Sequence, residues 1–241
     1  MKLSIAERDF LSALALYLAT RRTALRSALQ LRAPLSAEAA EDLRIHYSNY
    51  FVSLMAATEL LIKDTSVNGA SFEQTLETAF GALSTPLSAT NYLYVRELRN
   101  AILHRGLDIA SATHFVDDFP LLVAPTSVRN RGRAQRYSAF GFYLLQVVKG
   151  CETVVGPTIN AHLDSLGILD KEPDVEAWAE ETRQLVQTSA VMPDWVREIA
   201  SDSLHMSDYT VIHHDRISRL RGLLLPFSFA LPSKVHTDWA A

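Results

Sequence analysis

The chain has 241 residues, with 48% hydrophobic and 21% charged side chains and a formal net charge of −4. This is enough apolar material for one large core, and the charge excludes a wholesale basic coat for nucleic acid, although a local basic patch remains compatible. A single cysteine, Cys151, excludes an internal disulfide and fits a reducing interior.

The first predicted helix starts at a capping box, Ser4 with Glu7, and carries Leu3, Phe10, Leu14, Tyr17 and Leu25 at near-helical spacing, widened by Leu11 and Leu18. The apolar run from Phe10 to Ala19 is a poor secretory core, because Glu7, Arg8 and Asp9 precede it and Arg21 and Arg22 follow. No segment supplies the roughly 18 uncharged apolar residues of a membrane span, so a cytoplasmic, membrane-free protein is expected. The helix should end near Arg32, before Ala33 and Pro34. Ser36 is the next N-cap candidate, and a second long helix carries Leu43, Tyr47, Tyr50, Phe51, Leu54, Thr58 and Leu61, to be stopped by Asn68 and Gly69. Ser71 and Gln74 have the form of a further capping box, starting a shorter helix that fades near Leu83.

A fourth helix is predicted from about Ser88 to Arg105, closed by Gly106 in a left-handed cap. Arg99, Asn100 and His104 lie on it in the pattern Arg-Asn-x-x-x-His. Asn100 and His104 are one turn apart, and the long Arg99 side chain can swing towards their face. His104 falls in the last turn, where the helix dipole favours a protonated imidazole. A guanidinium, an amide and a readily protonated imidazole on one patch suit a phosphate. RNA can be cut when its own 2′-hydroxyl attacks the adjacent phosphate. His104 is then the candidate base or acid and Arg99 the clamp on the charged phosphorane, while Asn100 orients His104 or donates to phosphate. One histidine cannot carry both proton transfers.

After Gly106, the stretch 107–130 has two prolines and no helical period, which predicts a short β-hairpin or an ordered loop. Arg129, Arg131, Arg133 and Arg136 follow without an acid among them, the best candidates for contact with an RNA backbone. Their alternative is a solvated loop or ion pairing with the acidic stretch 170–181. A helix should resume near Ala134 through Tyr137, Phe140, Leu144, Val147 and Val155, with Gly156 and Pro157 kinking or breaking it. Pro173 and Pro193 are read as first-turn prolines of two further helices, the first through Gln187 and the second ending near His205. A last helix is predicted from about Asp208 to Leu224.

The Arg99/His104 array resembles the Arg-x(4–6)-His motif of HEPN domains, including the polar residue that often follows the arginine there. The resemblance implies an antiparallel helical bundle over 1–167 with the motif near the end of an inner helix, and 168–241 as a helical extension packed on it. It implies a metal-independent endoribonuclease whose site is shared across a homodimer and completed by the second histidine. A toxin or defence setting, with a cognate antitoxin or regulatory partner, comes from the resemblance alone. The alternative is a non-catalytic module of the same shape that binds RNA, a nucleotide or a protein. HEPN proteins that accept a nucleotide often carry tyrosine two residues after the histidine. Gly106 stands there, so nucleotide transfer onto this chain is not expected. No cofactor is called for, and no metal site: Asp208, His213, His214 and Asp215 lack ligand spacing, His205 and Asp208 are three apart but with a predicted helix break between them, and there is no HExxH. Tyr92 and Tyr94 are read as core in preference to base-stacking groups, and Cys151 as packed.

Overall fold

The computed structural model describes residues 2–64, 67, 69–83, 90–130, 132, 134–204 and 208–229, of which 202–204 are described by backbone alone. Eight helices and six short strands make a mainly helical fold among these residues. Strand β1 (Lys2–Leu3) leads into α1 (Ile5–Gln30), whose start is the expected box: Ser4 Oγ accepts from the Glu7 amide and the Glu7 carboxylate accepts from the Ser4 amide. Helix α2 (Ala37–Lys63) is capped by Ser36, whose hydroxyl accepts from the Ala39 amide. The two long helices pack on each other, and their predicted stripes are buried, Tyr17 only in part.

The next joint differs from expectation. α2 stops at Lys63, before Asn68, and α3 (Gly69–Gly81) already includes Ser71, so Ser71 is not its N-cap. The reason is close packing. A Cβ on Gly69 would meet the Ile62 carbonyl oxygen at 2.3 Å, so glycine lets α3 begin hard against the end of α2. Helix α4 (Asn91–Arg105) ends at Gly106 with φ 65°, the left-handed cap. The predicted start of α4 at Ser88 lies outside the described residues.

Two hairpins follow, so the β-structure expected over 107–130 is present and extends further. β2 (Thr113–Val116) and β3 (Phe119–Leu122) join through Asp117 and Asp118, with Asp117 at φ 55°, a conformation aspartate tolerates. β4 (Ser127–Arg129) pairs antiparallel with β5 (Arg136–Ser138). The helix expected from Ala134 therefore starts later, as α5 (Leu144–Ser165). Tyr137 belongs to β5, and Phe140 packs from the intervening loop against Phe80 and Tyr94. Pro157 lies inside α5 without breaking it. Gly156, beside it, lets the Leu224 carbonyl come within 2.1 Å of where a Cβ would stand.

The segment after Gly167 is tied to the bundle. A 3-10 turn, Ile168–Asp170, leads into β6 (Glu172–Pro173), which pairs parallel with β1. Pro173 is thus a strand residue and not the first turn of α6 (Val175–Thr188), whose N-cap is Asp174. Likewise α7 (Asp194–Leu204) begins after Pro193, and its predicted end at His205 lies outside the described residues. α8 (Tyr209–Leu224) is capped by Asp208. Leu220, Leu223 and Leu224 of α8 share one hydrophobic core with α1, α2 and α5. No helix among the described residues is long and apolar enough to cross a membrane.

Candidate functional site

Helix α4 places Arg99 and His104 differently. They are five positions apart, about 140° around the helix axis. Arg99 turns inward to α2, where its guanidinium pairs with the Glu59 carboxylate and is mostly buried. Burial pulls the Arg99 pKa below its ordinary value, although a guanidinium keeps its charge near neutrality. His104 lies exposed in the last turn beside Leu103, itself 49% exposed. Arg99 and His104 do not converge within one chain.

Asn100 is engaged elsewhere. Its Nδ2 donates to Glu97 Oε1 at 3.2 Å, and Glu97 is 4% exposed. Arg105 closes the same carboxylate from the far side, 3.6 Å from Oε2, and donates to the Glu97 carbonyl at 2.9 Å. A buried carboxylate needs such partners, so Asn100 and Arg105 serve Glu97 and leave His104 outside the network.

Glu59 sits between two cations, because Lys63 lies 3.5 Å from its carboxylate on the next turn of α2. An open groove of about 500 Å³ runs over Glu59, Lys63, Tyr17 and Asp64. Neither Glu59 nor Glu97 was singled out from the sequence. Glu59 had a legible signal: it interrupts an apolar stretch of α2 four residues before Lys63. Its pairing with Arg99 joins two helices, and no local spacing reveals that.

The arginine cluster lies on the β4–β5 hairpin. Arg129 and Arg136 face each other in register and are both exposed, while Arg131 and Arg133 lie outside the described residues. The hairpin packs on α4, and the Tyr94 hydroxyl donates to the Pro125 carbonyl at 2.8 Å just before β4. The acidic stretch has other partners: Asp170 pairs with Arg221, Asp174 with Lys2, Glu180 with Arg183 and Glu181 with Arg8.

Tyr92 and Tyr94 are buried in the core. Cys151 is buried, which pushes its thiol pKa well up and away from reactivity. His213 is buried with Nε2 3.0 Å from the Lys171 carbonyl, and His214 faces Glu172 at 3.6 Å. No group of three or more His, Cys, Asp or Glu side chains is arranged to hold a metal ion among the described residues. No protein-family model, curated protein or solved structure matches the chain.

Proposed function

We propose that the chain is a metal-independent endoribonuclease whose site forms where the ends of two α4 helices meet. The observation that carries this reading is the exposed His104 in the last turn of α4, with the Arg99 guanidinium on the same helix. Each copy contributes one imidazole. One takes the proton of the attacking 2′-hydroxyl and the other protonates the leaving 5′-oxygen. Arg99 stabilises the phosphorane once the phosphate competes with Glu59 for it. Lys63 remains beside Glu59 to balance the released carboxylate. The half-exposed Leu103 beside His104 is apolar surface of the kind a second copy would cover. The Arg129/Arg136 edge of the hairpin supplies backbone contact.

One observation favours a second reading, the non-catalytic RNA-binding module. Arg99 is already neutralised by Glu59, as it would be if its task were to hold α4 on α2. Purified protein separates the two. On the catalytic reading, His104→Ala and Arg99→Ala each remove most cleavage of single-stranded RNA, and Glu59→Gln, which frees Arg99, leaves cleavage intact or raises it. RNA binding without cleavage in the wild type, unchanged by His104→Ala, supports the module instead.

A further inference from the structure

A cavity of about 290 Å³ opens between α1, α6 and α8, on elements separate from the α4 site. Its size is at the lower end of the roughly 300–1,000 Å³ of small-molecule sites, so an occupant would be small. The floor is apolar: Leu3, Leu11 and Leu220 are buried there, with Ala15 and Ile217 partly buried. Leu16, 64% exposed, forms one lip.

The mouth has one sign of charge. Arg8, Arg216 and Arg219 line it, and no aspartate or glutamate does among the described residues. Arg8 is committed to Asp9 and Glu181. Arg216 and Arg219 have no ion pair among the described residues, and both are exposed. Trp178 fixes the geometry: the Arg8 and Arg216 guanidinium carbons sit over its ring at 5.2 and 5.1 Å. That contact holds Arg216 at the rim without using its hydrogen-bond donors. His213, buried at the edge of the cavity, has its Nε2 against the Lys171 carbonyl. An apolar floor under a cationic rim complements a molecule with an alkyl body and an anionic head.

We propose that this cavity binds a small amphiphilic anion, its chain on the Leu11/Leu220 floor and its carboxylate or phosphate on Arg216 and Arg219. Both heads match the planar fork of arginine, and the experiment distinguishes them. The inference does not rest on the ribonuclease reading.

The test is calorimetric titration of the full chain with decanoate, decyl phosphate, decanol and decyltrimethylammonium, each below its micelle concentration. Saturable binding of at least one anion is expected, with decanol and the cation about tenfold weaker or worse, as the loss of a charge-assisted contact implies. The tighter of decanoate and decyl phosphate identifies the head group. Arg216→Gln with Arg219→Gln, at exposed positions that leave the core untouched, should weaken the anion about tenfold or more. Ala15→Phe, which fills the floor, should abolish binding of every probe. No saturable binding of either anion overturns the proposal. So does equal affinity for the cation, or anion binding that survives both the arginine pair substitution and the filled floor.

Discussion

Arg21 carries its charge entirely inside the bundle, 0% exposed, and depends on Glu152, which is 3% exposed and 3.5 Å away. Glu152 is also held by the Tyr50 hydroxyl at 2.9 Å and by the Phe227 amide at 2.9 Å, while Arg21 Nη2 donates to the Leu223 carbonyl at 3.0 Å. The network joins α1, α2, α5 and the end of α8. Arg21→Met leaves the carboxylate buried without its cation and should cost about 3–5 kcal/mol in urea unfolding. Adding Glu152→Gln should recover part of that loss. A second residue makes a pH prediction. Burial lowers the His213 pKa from its ordinary 6.5, outweighing the Lys171 carbonyl, with His214 and Arg216 repelling the charge and Glu172 attracting it. The folded state therefore binds a proton less readily than the unfolded chain. The contribution of His213 is fully present above the ordinary value and is lost as pH falls below it. His213→Gln keeps a donor for Lys171 and should flatten the wild-type fall in Tm below that pH. An identical acid slope in the two proteins would assign the loss to other groups.

At the scale of elements, two glycines make opposite predictions. Gly156→Ala drives a Cβ into the Leu224 carbonyl and should destabilise by about 1–3 kcal/mol, as overpacking does. Gly222→Ala, inside α8 with nothing within 4 Å of the new Cβ, should stabilise by roughly 0.5–1 kcal/mol. Thermal melts of the two variants moving in the same direction would contradict the packing of α8 on α5. The hairpin makes a third prediction. If the hairpin lies on the proposed RNA path, Arg129→Gln with Arg136→Gln removes up to two phosphate contacts at about 0.7 each, so the slope of log affinity for single-stranded RNA against log salt should flatten by at most about 1.4. An unchanged slope would remove the hairpin from the RNA path. These elements also show what was legible. Ser4, Ser36 and Gly106 are local signals whose hydrogen bonds or φ values need only a few neighbouring residues, and they were read correctly. The β4–β5 hairpin was not legible, because Tyr137 and Phe140 continue the three-and-four spacing of Leu144 and Val147 and imitate a helix. Tyr137 in fact points from a strand, and Phe140 fills the space that Gly150 leaves open. Arg21, Glu97 and Glu152 escaped for another reason: apolar periodicity cannot see a charge that is buried by its partners from distant segments.

For the whole molecule, α1, α2, α4, α5 and α8 share one core, so the end of α4 is presented from that core with Arg99 turned inward and His104 outward. Joining two such ends requires a second copy, and specific RNA cleavage should fall as the protein is diluted below its dimer dissociation constant. Full activity in a monomer would rule out the shared site. The most direct measurement is the chemistry of the cut end. Wild-type protein incubated with single-stranded RNA in excess chelator should leave a 2′,3′-cyclic phosphate, and His104→Ala, folded by circular dichroism, should leave the RNA intact. Cleavage that requires a divalent ion, or that persists unchanged in His104→Ala, would contradict the assignment of His104 and Arg99 as the site.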